Sequence, residues 1–599
     1  MMWSIKGVSA RHSREISFTL VLAALIALLV VQLSSLQVVQ HRRYLAKSLG
    51  NKIRAIPIFA PRGEIFDRAG RPLAVNRPAY TLKYFPPAGE PESDQTLAHL
   101  AQWLGVDRDE LVESVSRQRT LLYSFQPVTV ASEITLEQVA YVEENPALFP
   151  GCFVDVDASK RYYPLGSAAA HLVGYTAMMT QDEFEAKRVA GYLANEFLGK
   201  EGIERQYEGL LHGRLGERDI EVDRNRCFRR IVVEKPPSKG EDLYITIDSR
   251  VQKAAYESLG NRRGAAIVMK PRTGEVLALA CSPSYDPNRF RDEDGGDYLA
   301  RIISNTRYPM LNRAVGNAYA PASTVKPAVV LGALETGIIS RGSTFYCPGF
   351  LQIGNRKFYD WKREGHGTLG IVDVIGKSSD VALYRIGLDM GLLNLRHYLR
   401  EFGFGKPTGI DLPQEAGGLV PSAEWKREHY SGERYNEVDR IWYDGDTANL
   451  AIGQGYMLAT PLQVLVMVNT IASDGLTAKP TLLKGTKSSV GVDLARRELP
   501  RAHGFDRENL DLIKRGMRRA ALLGGTAEDL RTLPVPVAGK TGTAEVWMGE
   551  PHSWFVGYFP SDDPQVSFVI FIENGGSSHD AAVPAAKELI TDIVRILEL

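Results

Sequence analysis

The stretch Asn317–Pro327, "NAYAPASTVKP", sets Ser323 and Lys326 three residues apart between two prolines, where the pattern predicts that a helix begins. If Ser323 opens that helix, Lys326 lies on the same face one turn on, within reach of the hydroxyl oxygen. The helix start adds free backbone N–H groups and partial positive charge where negative charge would develop. A serine becomes a nucleophile only beside a base, and a lysine serves once desolvation or a neighbouring cation lowers its pKa. Alone the pair carries little weight, because serine is a common helix N-cap. Two further pieces follow in order: "GKSSDVALYRIG", with Ser378 and Asp380, and "VAGKTGTAEVW", with Lys540-Thr541-Gly542-Thr543 on an expected strand. Three such pieces in order are much rarer by chance than any one of them.

The rest of the chain sets the frame. At 599 residues it exceeds what one hydrophobic core serves, so two or more folded units are expected. Its 71 basic and 71 acidic residues cancel without long runs of one sign, which gives no ground for a nucleic-acid partner. Ile16 to Gln40 carries no charge and is long enough to cross a bilayer core of roughly 30 Å as a helix. It reads as a transmembrane anchor rather than a cleaved signal, since no small-x-small site follows. Lys6, Arg11 and Arg14 before it balance Arg42, Arg43 and Lys47 after it, so charge leaves the orientation open. The cysteines Cys152, Cys227, Cys281 and Cys347 are widely spaced without a CxxC pair, and no disulfide is expected among them.

After the anchor, "IPIFAPRGEIFDRAGRPLAVNRPAYTL" predicts short strands broken by turns, and Ser93–Glu144 a more helical stretch. "GIERQYEGLL" has a helical period and then gives way to strand-like alternation. The prolines of "EKPPSKGEDLYITID" mark the best boundary. Beyond it, Asp248 caps a helix in "DSRVQKAAYESL", "GAAIVMKPRTGEVLALACSPSYDPN" forms a hairpin about "PRTG", and "HSWFVGYFPSDDPQVSFVIFIEN" forms a second before a final helix. A sheet built from both ends of this body, with a helical middle, predicts an α+β or α/β sandwich.

The S-x-x-K, S-x-N and K-T-G set is that of penicillin-binding proteins and serine β-lactamases. "RGEIFDRAGRPLAVN", "RYYPLGSAAAHLVGY" and "GKEGIERQYEGLLHG" resemble the three N-terminal signatures of class B penicillin-binding proteins; "LNRAVGNAYAPASTVKP" and "NLAIGQGYMLATPLQV" resemble segments of their transpeptidase domain. Asp380 stands where the middle motif usually has Asn, and Ala322 where a glycine usually precedes the nucleophile. The aspartate resembles the elongation-type subgroup, penicillin-binding protein 2. The resemblance implies an α+β multidomain chain: cytoplasmic residues 1–15, an anchor at 16–40, an elongated mixed pedestal of the dimerisation type at 41–240, and a transpeptidase domain at 241–599. The last would hold a five-stranded antiparallel sheet flanked by helices, plus a helical subdomain.

The resemblance further implies that Ser323 attacks a D-Ala-D-Ala stem peptide, expels the terminal D-Ala and passes the acyl group to a neighbouring stem-peptide amine during cell-wall elongation, with β-lactams as covalent inhibitors. Lys326, flanked by Lys540, would be the base and Ser378 a proton relay. Asp380 would orient Lys326 or substrate, the N–H groups of Ser323 and Thr543 would form the oxyanion hole, and Lys540, Thr541 and Thr543, around Gly542, would hold the substrate carboxylate. No cofactor is required. In "CPGFLQIGNRKFYDWKREGHG" Cys347, Asp360 and His366 are zinc-competent, and "YDWKREGHGTLG" resembles the zinc-ligand loop of penicillin-binding protein 2, although the cysteine those relatives place in the middle motif is Ser379 here. The implied partners are peptidoglycan stem peptides, a SEDS-family glycosyltransferase and other elongation-complex proteins at the inner membrane, with the C-terminal body periplasmic. Two alternatives are a membrane-bound β-lactam hydrolase or sensor, and a scaffold that activates a partner glycosyltransferase.

Overall fold

The computed structural model describes residues 6–44, 53–85, 95–121, 127–157, 160–193, 196–222, 228–291, 295–432, 434–488, 491–547 and 549–599. Lys47 and Cys227 lie outside them. Among the described residues one helix is long and apolar enough to cross a membrane: Lys6–Ser34, continued by a wider turn at Ser35–Val39, with the apolar span at Ile16–Val39.

The chain divides into two compact units, and the division interleaves the sequence. One gathers residues 1–61, 78–160 and 214–238. Its two sheets are Ile53–Ile58 with Gly216–Val222 and Phe228–Lys235, and a second in which Ala79–Tyr84 pairs on either side with Val128–Ile134 and Cys152–Asp157. Leu82, Leu97, Leu100, Val115 and Val128 form the core under the second sheet. The stretch expected to be mainly helical does hold helices Gln95–Leu104, Arg108–Leu121 and Leu136–Glu144, but the β-branched run "VTVASEI" breaks it with a strand.

The other unit comprises residues 62–77, 161–213 and 239–599. Its main sheet has β1 Gly264–Met269, β2 Val276–Ser282, β3 Ala538–Ala544, β4 His552–Phe559 and β5 Val566–Ile572, antiparallel throughout in the order β2-β1-β5-β4-β3. Both expected hairpins are present, and β5, the last strand made, lies at the centre. The strands are apolar on both faces: Ala265, Ile267 and Met269 of β1 enter one core, while Ala266 and Val268 enter the other. Helices α1 Ser249–Leu259, α2 Lys326–Glu335, α3 Asp380–Glu401, α4 Pro461–Ala472, α5 Arg507–Ala520 and α6 Ala582–Leu597 surround it. α1 is capped by the Asp248 carboxylate, as its sequence predicts, and packs with α6 on one face, while α4 covers the other.

The three stretches that resemble class B N-terminal signatures all belong to this second unit, and they meet in a buried ion cluster. Arg62 Nε donates to Glu204 Oε2 at 2.6 Å and its Nη2 to Glu208 Oε2 at 2.6 Å; Arg161 Nε donates to Glu204 Oε1 at 2.6 Å. Burial opposes the Arg62 charge, but Glu204 and Glu208 outweigh it and raise its pKa.

Candidate active site

Ser323 sits in a tight 3₁₀ turn, Ala322–Val325, that runs directly into α2, with Pro327 in the first helical turn. Ala322 adopts a left-handed φ of 50° and donates its N–H to Gly453 O at 2.8 Å. Gly453 belongs to the "GQG" of the sequence; a Cβ there would fall 2.3 Å from Ala322 O, so only glycine lets that strand of chain hold the turn. From the other side comes β3, the edge strand of the sheet. A Cβ on Gly542 would lie 2.9 Å from the Thr324 methyl, so Gly542 permits the close approach of Lys540-Thr541-Gly542-Thr543 to the Ser323 turn.

Lys326 and Lys540 are fully buried and converge on Ser378. Lys326 Nζ donates to Ser378 O at 2.7 Å, to Ser378 Oγ at 3.2 Å and to Asp380 Oδ1 at 2.7 Å. Lys540 Nζ lies 2.7 Å from the same Ser378 Oγ and donates to Thr541 O at 2.9 Å. Two amines and one hydroxyl thus form a continuous path. Burial, then the neighbouring Lys326 charge, push the Lys540 pKa well below the usual lysine range, and Asp380 only partly opposes them. Ser378 itself has a left-handed φ of 58°, the second strained non-glycine residue of the site. Thr541 Oγ1 donates to Thr526 Oγ1 at 2.8 Å, and the exposed Thr543 exchanges hydrogen bonds with Ser578.

The penicillin binding protein transpeptidase domain matches residues 264–594, and the penicillin-binding protein dimerisation domain matches 57–245. The peptidoglycan D,D-transpeptidase MrdA of Escherichia coli K12 is 35% identical over 595 residues, covering 95% of this chain and 91% of its own. The chain belongs to the penicillin-binding protein transpeptidases. Among solved structures, penicillin-binding protein 2 of Helicobacter pylori in complex with MreC superposes with a TM-score of 0.77 at 28% identity, covering 91% of this chain and 99% of that one. A structure described as a peptidoglycan synthase complex that coordinates polymerisation and crosslinking gives 0.71 at 29% identity, covering 97% and 98%. The resemblance to penicillin-binding protein 2 drawn from the motifs is borne out, as is the mixed α+β fold with its five-stranded sheet.

The motifs of this transpeptidase-family chain were visible in its sequence; their supports were not. The stretch around Cys347, Asp360 and His366 is built on two strand pairs: Thr344–Cys347 pairs with Gly367–Gly370, and Phe350–Ile353 with Arg356–Tyr359. They bring Cys347, Asp360 and His366 around Ser379. Ser379 Oγ lies 2.8 Å from Asp360 Oδ2 and 3.2 Å from Cys347 Sγ, and His366 Nε2 lies 3.2 Å from Asp360 Oδ1. Burial alone would raise the Asp360 carboxyl, but hydrogen bonds from His366, the Val381 N–H and Ser379, with the Lys326 charge, bring it down to about 2. The zinc that the subgroup implies does not fit this arrangement. The Ser379 hydroxyl, a poorer zinc ligand than a thiolate, joins the sulfur to the carboxylate, and among the described residues no set of three His, Cys, Asp or Glu side chains is placed to hold a metal ion. Gly453, Thr526 and Ser578 are further supports that the motifs alone do not single out.

Proposed function

We propose that this chain is a serine-type peptidoglycan D,D-transpeptidase that cross-links stem peptides through an acyl-enzyme on Ser323. The observation that carries this reading is the path Lys326 Nζ, Ser378 Oγ, Lys540 Nζ behind the Ser323 turn. Ser323 Oγ attacks the carbonyl of the penultimate D-Ala while its proton passes to Lys326; Lys326 in turn releases a proton through Ser378 to Lys540, whose lowered pKa leaves it more often free to accept one than an ordinary lysine. Collapse of the tetrahedral intermediate breaks the D-Ala–D-Ala amide bond, and the leaving amine takes a proton back from the same path through Ser378. A stem-peptide amine then attacks the ester, returns a proton along the path and leaves Ser323 free. Asp380 holds Lys326 in place.

The oxyanion would be held by the N–H groups of Ser323 and Thr543, a reading supported by the Gly542 contact that sets β3 against the turn. Thr541 and Thr543 would receive the substrate carboxylate with Lys540. The apolar N-terminal helix would anchor the chain in the inner membrane with residues 1–15 cytoplasmic and the C-terminal body outside, where the substrate lies. Residues 41–240 would be the pedestal and 241–599 the transpeptidase domain, with 62–77 and 161–213 lending their strands and ion cluster to the latter. An elongation-complex setting, with a SEDS-family glycosyltransferase as partner, is supported by the relatives solved with MreC and within a synthase complex.

The test is labelling of the full-length protein and its Ser323→Ala variant with a fluorescent penicillin. A stable adduct on the native protein and none on the variant is the expected result. An adduct on the variant would remove the nucleophile, and decay within minutes would make the protein a β-lactam hydrolase.

A further inference from the structure

Ser378 and Asp380 occupy a five-residue segment, Lys377–Val381, whose backbone is strained at its second position. A left-handed φ at a non-glycine residue costs on the order of 1–3 kcal/mol and persists only where the surroundings hold it. Besides the preceding helical turn and the two lysines, two consecutive residues that follow the neighbouring hairpin hold it. Asp360 Oδ2 accepts the Ser379 hydroxyl at 2.8 Å and the Val381 N–H at 3.1 Å. Trp361 donates its backbone N–H to Asp380 Oδ2 at 3.1 Å and its indole Nε1–H to Lys377 O at 3.0 Å.

The two Trp361 bonds bracket the reactive segment. One fixes the Asp380 oxygen opposite the one that meets Lys326, so the carboxylate plane is set from both ends. The other anchors the carbonyl just before Ser378, whose hydroxyl must stand between two amines. Burial does not account for this side chain, which is 59% exposed and touches the His366 ring only edge-on at 5.4 Å. A large ring left in water gains little hydrophobic stabilisation; the single polar group of this ring is spent on the Lys377 carbonyl.

We infer that Trp361 is a positioning residue of the transpeptidase reaction: its indole N–H holds Ser378 in register with Lys326 and Lys540. The inference rests on the serine acyl-enzyme reading. Its substance is a contribution to the bond-forming step and not to recognition of substrate.

Trp361→Phe keeps the backbone N–H and most of the ring and removes only the indole donor. The experiment follows acylation of full-length wild type and variant by a fluorescent penicillin over a range of concentrations, which separates the pre-covalent dissociation constant from the first-order acylation step. The expected result is a first-order step slowed roughly five- to twentyfold, the scale of one lost hydrogen bond, with an unchanged dissociation constant and an unchanged melting temperature. A weaker dissociation constant with an unaltered acylation step would overturn the inference and make the ring a wall of the substrate cleft. A slowing matched by loss of folded protein, or no change at all, would overturn it as well. Trp361→Ala is the second variant: it must show the same slowing as Trp361→Phe, and a much larger loss in Ala alone would assign the effect to ring packing and reject the role of the N–H. If wild type itself is not acylated at Ser323, the functional reading fails; if it is, and Trp361→Phe keeps pace, only this inference fails.

Discussion

Two buried charge clusters lie within the same compact unit and behave in opposite ways. In the first, Arg62 and Arg161 face Glu204 and Glu208, so positive and negative charges match. Gly63 O and Asn76 accept from Arg161, and Tyr192 and the Gly199 N–H donate to Glu208, while Arg161 Nη2 is buried without a hydrogen-bond partner. Burial raises the Glu204 carboxyl, but Arg161 and Arg62 outweigh it and hold the pKa below the ordinary value. Every charge is locked in. In the second, Lys326 pairs with the Asp380 carboxylate, while Lys540 bonds the Ser378 hydroxyl and the Thr541 carbonyl with no carboxylate of its own. One positive charge is in excess, and the environment sheds it by making the Lys540 proton easy to lose. The difference teaches that balance makes a buried cluster structural, whereas a one-charge imbalance makes it able to move a proton.

The sharpest way to break this comparison is Glu204→Gln. It leaves Arg161 without its carboxylate partner and Arg62 with only Glu208, and the expected loss is about 3–5 kcal/mol of stability, the scale for breaking a buried pair. Chemical denaturation checks it; a loss under about 1 kcal/mol would show that the cluster is not the closed structural unit described here. Acylation per folded molecule should not change. Lys540→Met is the mirror experiment. Removing an amine whose charge burial and Lys326 already disfavour should hardly alter the denaturation midpoint, while acylation should fall about 10²- to 10⁴-fold, the range for a lost proton-transfer group. A variant that acylates normally would remove Lys540 from the proton path.

The smallest effect concerns pH. The Lys540 pKa is depressed, so acylation should rise with pH through a point below the ordinary lysine value of 10.5. Asp380 is the influence that raises it, so Asp380→Asn should move that rise to lower pH while slowing the plateau. A shift to higher pH would contradict the sign of the Asp380 contribution.

Much of this was legible in the chain. The hairpins at β1–β2 and β4–β5 announce themselves through β-branched runs around turn residues, and the Asp248 cap and the anchor helix through local signals of the same kind. Ser323–Lys326, Ser378 and the K-T-G strand stand out because each motif is short and contiguous. The ion cluster does not, because its partners come from three stretches between 41 and 146 residues apart, and nothing local says which Arg meets which Glu. All three stretches read as parts of one leading domain at 41–240, yet they group with residues 239–599 in one compact unit. Ser379 and Trp361 escaped for a related reason: their roles are set by a hairpin loop whose short strands carry weak sequence signals. Even the Ser323–Lys326 spacing was only half the geometry, since the Lys326 amine donates to Ser378 and Asp380, which that spacing does not reveal.

The placement of β5 at the middle of the sheet has a consequence for how the molecule comes into being. Ribosomes deliver the N-terminus first, so Ile65–Phe66 waits for its parallel partner Leu243–Tyr244, and β1 keeps one bare edge until Val566–Ile572 arrives. No truncated nascent chain can close this unit. Closure of the main sheet thus waits for β5, and the bare edge of β1 must be shielded from strand-edge aggregation until that strand is made.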